Sequence, residues 1–471
     1  MGQFFDVINP YTGKKIRSIQ KMTLPEIRKA ISRAQSAHKA LASLPVYKRT
    51  ELLLKCSEEI LRYKDDLALL MSAEIGRPIK SSRGEILRTS EIFKIAASEV
   101  THIMEGKIID LGSYLHPPGN NKRLAMLIRE PIGVVASITP FNFPASSFAQ
   151  KVAPSLAVGN SVVHKPSSSA PLTQMEISSI ISDSGFPVNS VQVIHGDSSE
   201  IGNEFVSNKV IAGISFTGSE SVGLKLASDA IKNGKKVVME LGGSDPQIVL
   251  DDADLEKAAE AAVIGRFDYA GQFCNATKRL IVQESIIEEF ISITKKKMKS
   301  LKIGDPLNEE TVMGPLINRE SVNRVKNYLD DALSNGGKIL YTDETTQGGN
   351  FFPPTIIRVD QKSLLLKEEV FGPLVPVISV GTDEEAAQMA NETDFGLDAS
   401  IFTRNFDRAF SLAKKIKAGT VIINDTTRLR WDNLPFGGLK KSGIGRESVS
   451  DSMRDFIFFF TMDMNSSIID S

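Results

Sequence analysis

The sequence predicts an α/β protein whose parallel sheets are covered by helices on both faces. Three patterns point there. Short, continuous apolar runs alternate with helical patterns from residue 132 to 240. A second αβ series follows from about 245 to 440. The first hundred residues read as helical throughout. Continuous apolar strands separated by helices are the mark of a sheet buried on both sides.

Taken in order, Leu24 to Leu70 carries apolar residues at helical spacing among Lys, Arg and Glu, and Thr23 to Glu26 has the Thr-x-x-Glu form of an N-terminal capping box. Ser81 to Ile103 repeats the helical pattern. Residues 107–131 change character. Lys107–Asp110 and Arg123–Arg129 read as two strands about the turn cluster Pro117-Pro118-Gly119-Asn120-Asn121, a hairpin that is either local or an oligomerisation arm. The strands that follow are Ile132–Ile138, Ser161–His164, Val191–Ile194, Val210–Phe216 and Lys236–Met239. The second series runs through Gln247–Leu250, Arg279–Val282 and Thr420–Ile423. The chain shows no short repeat, low-complexity tract or charge block.

Composition narrows the function classes. At 471 residues the chain is too long for one ordinary domain, and about two to four are expected. A hydrophobic content of 41% with 24% charged residues is that of a soluble globular protein. The formal net charge of −1 argues against a nucleic-acid binder driven by phosphate neutralisation. Two cysteines cannot build a disulfide framework, so a reducing cytoplasm is the expected compartment. None of the five histidines pairs with cysteine or another histidine at zinc-ligand spacing, so no metal is expected. The amino terminus shows no signal-peptide pattern, and no stretch approaches the ~20 apolar residues of a membrane span. Phe456-Ile457-Phe458-Phe459-Phe460 is apolar but far too short.

The chemistry centres on Cys274, in Ala270-Gly271-Gln272-Phe273-Cys274-Asn275, and on Glu240, in Met239-Glu240-Leu241-Gly242-Gly243. A thiol and a carboxylate, each close to glycine, suit a covalent enzyme in which sulfur attacks and the carboxylate later activates water. A lone cysteine is more often a packing residue, and Cys56, on a predicted helix, is read as one. The surrounding motifs change the balance for Cys274. Phe216-Thr217-Gly218-Ser219 joins a strand to a helix N-terminus, where backbone N–H groups make an anion site, although the segment is not Gly-x-Gly-x-x-Gly and is equally an ordinary βα turn. Lys165, at the end of another strand, can reach ribose or phosphate oxygens, though by itself it reads as a solvated lysine. In Thr139-Pro140-Phe141-Asn142-Phe143-Pro144, Asn142 can donate to a developing oxyanion, whereas a plain turn asparagine is commoner. Glu368-Glu369-Val370-Phe371-Gly372-Pro373 and Leu434-Pro435-Phe436-Gly437-Gly438 are Gly-Pro loops carrying phenylalanines.

Together and in this order, these segments resemble the aldehyde dehydrogenase superfamily, from Asn9-Pro10-Tyr11-Thr12-Gly13 to Lys441-Ser442-Gly443-Ile444-Gly445-Arg446-Glu447. The pairing of Glu240-Leu241-Gly242-Gly243 with Gly271-Gln272-x-Cys274 is the specific element. The resemblance implies an aldehyde dehydrogenase-like fold with three parts: a discontinuous Rossmann-like cofactor domain at 1–106 and 132–240, an α/β catalytic domain at 241–440, and an oligomerisation domain at 107–131 and 441–471. It implies Cys274 as nucleophile, Asn142 and the Cys274 N–H as oxyanion donors, Glu240 as the base for deacylating water, and Lys151 in a proton relay. On the cofactor side it implies Lys165 at the adenosine ribose, Gly218 and Ser219 at the pyrophosphate and Glu369 at the nicotinamide ribose. Phe371 would lie near the nicotinamide, with Thr139, Pro140, Phe141 and Leu241 lining the same site. Phe143, Phe273, Arg428, Arg430 and Phe436 are the candidate substrate residues.

Departures from the family pattern refine the expectation. Many NAD-preferring members carry a glutamate three residues after the strand-end lysine, and here that residue is Ser168. A small neutral donor leaves room for a 2′-phosphate, so NADP is expected to be preferred and NAD accepted. Gln150 and Phe273 stand where succinic-semialdehyde and some non-phosphorylating glyceraldehyde-3-phosphate enzymes carry arginine. The run from Asp425 to Gly438 is similar to archaeal lactaldehyde dehydrogenase-like members, which points to a small hydroxyaldehyde such as lactaldehyde or glyceraldehyde. The alternatives are a semialdehyde or phosphorylated aldehyde held by Arg428 and Arg430, and transfer to coenzyme A. The expected partners are a small-molecule aldehyde and further copies of the chain, as a homodimer or homotetramer, with no nucleic acid or membrane. An exposed apolar tail strand is a liability unless another chain covers it.

Overall fold

A computed structural model, which describes residues 2–343 and 348–465, gathers the alternating strands into two sheets. The first has the order Gly443–Ile444, Lys236–Glu240, Ile211–Thr217, Val134–Ile138, Ser161–Lys165, Val191–Val193. Its strands are parallel except for Gly443–Ile444. Val134, Val135 and Ala136 are buried, as a strand covered on both faces requires. From Val134–Ile138 the chain winds outward through Ser161–Lys165 and Val191–Val193, then returns to the opposite side as Ile211–Thr217. This reversal opens a crevice beyond the carboxyl ends of Val134–Ile138 and Ile211–Thr217, the place where doubly wound sheets bind ligands. The segments Thr139–Phe143 and Gly218–Ser219 begin there.

The second sheet runs Lys338–Thr342, Thr355–Arg358, Leu374–Val380, Thr277–Gln283, Asp245–Val249, Asp398–Phe402, Thr420–Ile423. Only the Lys338–Thr342 pairing is antiparallel. A smaller antiparallel sheet pairs Lys107–Asp110 with Arg123–Pro131, and Arg123–Pro131 with the tail strand Ile457–Asn465.

Two expectations need correction. The first hundred residues are not wholly helical. Phe4–Ile8 and Lys15–Gln20 form an antiparallel hairpin, turned at Asn9–Lys14, before the helices Leu24–Ala42, Val46–Arg62, Lys64–Ile75 and Ile79–Ile103. The alternation of buried Val7 with its exposed neighbours was the available signal. The tail also does not leave the first body at 441. Gly443–Ile444 adds to the first sheet and helix Val449–Asp455 packs on helices Ile79–Ile103 and Pro144–Val158, so only Ile457–Asn465 joins the hairpin. Burial of Val449 and Met453 in the first body's core accounts for the return. The capping box at Thr23 forms, with Glu26 Oε2 accepting the Thr23 N–H at 2.7 Å and its hydroxyl at 2.8 Å.

The apolar core falls into one large cluster on the second sheet, two on opposite faces of the first, and two small ones around Val7 and around Val135. One placement matters for the site. Tyr269 and Phe273 precede Cys274 in the part of the chain that builds the second sheet, yet both bury in the core of the first body, among Phe148, Val152 and Met453.

A buried ion pair fastens this junction. Arg77 follows the left-handed Gly76 that ends helix Lys64–Ile75, and a Cβ on Gly76 would lie 2.8 Å from Pro315. The Arg77 guanidinium pairs with Glu85 and donates to the Asn142 carbonyl at 3.3 Å. It lies over the rings of Phe143, Phe273 and Tyr269 at 4.7, 5.4 and 5.5 Å. Glu85 Oε1 accepts the N–H groups of Ala145 and Ser146 at 3.0 and 3.1 Å, at the N-terminus of helix Pro144–Val158.

Removing one member of a buried pair leaves the other charge uncompensated, so Glu85→Ala is expected to cost about 3–5 kcal/mol. Urea unfolding of the two proteins checks this, and an unchanged midpoint would show that the pair does not hold the junction.

Candidate active site

A cavity of 590 Å³ lies where the carboxyl end of the first sheet meets loops of the second. Its wall includes Cys274, Glu240 and Asn142, and also Thr139, Pro140, Phe141, Phe143, Lys165, Ser168, Gly218, Ser219, Leu241, Glu369, Phe371, Arg428, Arg430 and Phe436. Thus segments scattered over some three hundred residues of sequence share one space.

Backbone strain presents Cys274. After helix Leu255–Phe267, Tyr269, Ala270 and Gly271 adopt φ values of +48°, +55° and +68° in succession. That region is costly for the first two residues and is sustained only by surrounding structure. Gly271 is required sterically, because a Cβ there would lie 2.6 Å from the Arg266 carbonyl oxygen and 2.8 Å from that of Gly372. The turn leaves Phe273 in the neighbouring core and Cys274 at the cavity wall. Gln272 anchors it: its side chain donates to Tyr269 O and Pro315 O at 3.2 and 3.3 Å and accepts from Ile317 N at 2.9 Å.

The Gln272 carbonyl in turn accepts from Asn142 Nδ2 at 2.8 Å. An amide nitrogen carries two N–H donors. One is committed to fixing the group, and the other is left uncommitted. Cys274 as a residue is half-buried, but its sulfur is desolvated, and burial pushes the thiol up to about 12. Lys278 and Arg430 oppose that shift while Glu369 and Asp245 reinforce it. At neutral pH the resting group is a thiol, so attack requires a proton acceptor nearby.

Glu240 ends strand Lys236–Glu240, and both of its carboxylate oxygens are buried without a hydrogen-bond partner. A Cβ on Gly437 would lie 2.7 Å from Oε1, so a larger residue there would collide with it. Burial first, and then the negative charge of Glu447, hold the Glu240 carboxyl well above the ordinary carboxylate range. Glu447 behaves in the opposite way. Burial raises it, but Lys151 and Arg430 outweigh burial and keep it below the ordinary value. Lys151 Nζ bonds Glu447 Oε1 at 2.6 Å and Ser215 Oγ at 3.1 Å, and Arg430 Nη2 meets Glu447 Oε2 at 3.1 Å. Two carboxyls with pKa values driven apart are a natural acid–base arrangement.

Two expected site residues do not line the cavity. Lys151 is wholly buried behind it and acts on Glu240 only through charge and through Glu447. Phe273, expected on the substrate side, is a core residue packed against Phe143 and Tyr269 at 5.1 and 5.6 Å. Glu447 was present in the quoted Gly-Arg-Glu segment but received no role, because nothing in a linear motif reveals that it sits between two buried cations.

The remaining wall suits a dinucleotide. Ser219 holds the N-cap position of helix Glu220–Lys232, and its side chain makes no capping bond to that helix. Gly218 and Gly223 pack so tightly that a Cβ on either would strike Phe216 or Leu241, at 2.6 and 2.2 Å. Lys165 is buried, with one long bond of 3.3 Å to the Pro166 carbonyl. Burial lowers its pKa and Asp197 only partly offsets this, so an anionic ligand group would stabilise the ammonium. Glu369 lies against Gly242, where a Cβ would come within 2.4 Å of its Oε2.

The sequence profile described as Aldehyde dehydrogenase family matches residues 1–459. The chain is 38% identical to lactaldehyde dehydrogenase of Methanocaldococcus jannaschii, over 96% of this chain and 95% of the relative. It is 36% identical to the NADP(+) succinate-semialdehyde dehydrogenase of Escherichia coli strain K12, over 97% of this chain and 93% of the relative. Among solved structures it is similar to glyceraldehyde-3-phosphate dehydrogenase GapN from M. jannaschii complexed with NADP. The TM-score is 0.92 and the identity 38%, over 99% of each chain.

The two carboxyls yield a pH test. Glu447→Gln removes a negative charge that raises Glu240, so the base form of Glu240 persists to lower pH. The acid limb of the turnover profile is expected to move down by about one pH unit. A limb that stays in place would mean that Glu447 does not set the charge state of Glu240.

Proposed function

The chain belongs to the aldehyde dehydrogenase family, and from that premise we propose that it oxidises a small, uncharged hydroxyaldehyde, such as lactaldehyde or glyceraldehyde, to the free acid with NADP, accepting NAD as well. The observation that carries the reaction type is Glu240: a buried, unpartnered carboxylate that shares the cavity with Cys274 and Asn142.

Cys274 Sγ attacks the aldehyde carbon and forms a C–S bond, and Glu240 takes the thiol proton. The carbonyl oxygen becomes an alkoxide, held by the uncommitted N–H of Asn142 and the backbone N–H of Cys274. The hydride acceptor of the reaction is the nicotinamide of bound NADP or NAD. Lys165, Ser168, Gly218, Ser219 and Glu369 would hold that cofactor, with Thr139, Pro140, Phe141, Leu241 and Phe371 against it. Cys274 carries the adduct before the transfer and a thioester after it. Glu240, its proton passed to solvent through the Lys151–Glu447 side of the site, then takes a proton from water. The hydroxide adds to the thioester carbon, the C–S bond breaks with its electron pair returning to sulfur, the thiolate takes back the proton from Glu240, and the acid leaves. A carboxylate in this place favours water over coenzyme A as the acyl acceptor.

Charge balance supports an uncharged substrate. Arg428 pairs with Asp268 at 3.2 Å, Arg430 with Glu447 at 3.1 Å, and Arg88 with Asp432 at 2.6 Å. Arg428 also stacks on Phe273 and Arg430 on Phe436, at 3.1 and 3.9 Å. Each guanidinium therefore already has its counter-ion, and an anionic tail would have to displace one. The alternative, a semialdehyde or phosphorylated aldehyde, requires Arg428 or Arg430 to make that exchange.

The small antiparallel sheet carries the proposed oligomer contact. Phe458, Phe459 and Phe460 are 46%, 58% and 47% exposed on its tail strand, an edge that a second copy would cover. The chemistry also needs Cys274 reduced, which fits a cytoplasmic setting.

Initial rates of cofactor reduction, with NADP and NAD separately, test the reading over lactaldehyde, glyceraldehyde, glyceraldehyde 3-phosphate and succinic semialdehyde. The highest kcat/KM is expected at an uncharged hydroxyaldehyde with NADP, and a peak at an anionic aldehyde would overturn the substrate assignment. Light scattering at micromolar concentration is expected to give a dimer or tetramer, and a monomer would refute the arm's role.

A further inference from the structure

Behind Cys274 lies a lysine that the reaction above does not use. Lys278 is the second residue of strand Thr277–Gln283, and its side chain is wholly buried. Strand pairing explains how it comes to stand there. Asp245 pairs with Thr277 and Pro246 with Arg279, so the register passes over Lys278. Pro246 has no N–H to give the ladder, and the extra residue forms a bulge, a device that re-aims a side chain.

The lysine turns back under the nucleophile loop. Its Nζ donates to the Phe273 carbonyl at 2.9 Å and to the Cys274 carbonyl as well. It lies 3.5 Å from Glu369 Oε1, which also accepts the Gly243 N–H at 3.2 Å. A Cβ on Gly243 would lie 2.7 Å from both the Cys274 carbonyl oxygen and Asp245 Oδ1, so the Asp245 carboxyl belongs to the same packed group.

We propose that Lys278 is the positioning residue of the nucleophile: it clamps the Cys274 loop by two carbonyls and places a buried positive charge beneath it. The inference rests on Cys274 being the nucleophile of the proposed reaction. The charged groups facing the thiol come from several elements. Lys278 and Asp245 lie on neighbouring strands, Glu369 on the loop before Leu374–Val380, and Arg430 on the loop after Thr420–Ile423, while Glu240 shares the cavity. Arg428, on the same loop as Arg430, also faces the thiol but is paired with Asp268, and Lys278 acts on the sulfur more strongly than Arg430, which is committed to Glu447. Glu369 opposes Lys278. The lysine therefore works against desolvation and two carboxylates to favour S⁻ over SH.

Alkylation of the cofactor-free protein by iodoacetamide tests this without turnover. The reaction forms an S–C bond and releases iodide, and peptide mass separates Cys274 from the buried Cys56. Rates are followed across pH, with melting curves as a check on folding. In Lys278→Met the profile is expected to move to higher pH, with the rate near neutral pH falling by about tenfold or more, the equivalent of about one pH unit. In Glu369→Gln, which removes the opposing carboxylate and leaves the buried lysine intact, alkylation is expected to be faster than in wild type. A folded Lys278→Met with the wild-type profile overturns the proposal. If that variant does not fold, Glu369→Gln decides, and an unchanged or slower rate overturns it. Turnover by Cys274→Ser would instead refute the proposed reaction, so the two failures are distinguishable.

Discussion

The Arg77–Glu85 pair is the constraint on which the site depends. The proposed oxyanion donor and the proposed nucleophile belong to different bodies: Asn142 follows a strand of the first sheet, while Cys274 precedes a strand of the second. Nothing in either sheet alone sets their separation. Arg77 meets the Asn142 carbonyl on one side and the rings of Tyr269 and Phe273 on the other, and Glu85 holds the helix that begins beside Asn142. The Asn142–Gln272 bond then closes the junction at the cavity itself. A guanidinium suits this task, because it presents donors in its plane and an apolar, cationic face to aromatic rings at the same time.

A second organising feature is the division of charge between two buried carboxyls. Glu240 has no hydrogen-bond partner and is held toward its neutral form. Glu447, with Lys151 and Arg430 against it, is held as an anion. In the proposed reaction, a base that accepts a proton from a thiol, and later from water, gains from a raised pKa. The same ion pairs occupy the arginines, so in the proposed reaction proton handling and the preference for an uncharged aldehyde draw on the same residues. The cofactor side follows a different rule. There a buried lysine is short of a counter-ion and a serine N-cap is uncommitted, an arrangement that calls for phosphate.

Much of this was legible in the linear sequence, for identifiable reasons. Strands buried on both faces read as continuous apolar runs, so the parallel strands of the first sheet and three strands of the second were visible in the sequence, whereas Lys338–Thr342, Thr355–Arg358, Leu374–Val380 and Asp398–Phe402 were not singled out from it. Cys274, Glu240, Asn142 and the Gly218–Ser219 turn each carry a local signature, and the order of those signatures carries the family resemblance. The opening hairpin escaped because its strands are short and only one residue of Phe4–Ile8 is buried. The tail's return to the first sheet escaped because a two-residue strand, Gly443–Ile444, has no periodicity to read.

The sequence by itself determined the fold class and the family and nominated the candidate reacting groups, since these depend on local periodicity and on residue types at fixed spacing. Only the tertiary structure decided which charges meet. That Lys151 and Arg430 converge on Glu447, that Phe273 is core rather than tunnel wall, and that a skipped register turns Lys278 under Cys274 are all consequences of packing between segments far apart in the chain. Desolvation and Coulomb interactions act across those contacts, and neither has a counterpart in sequence order.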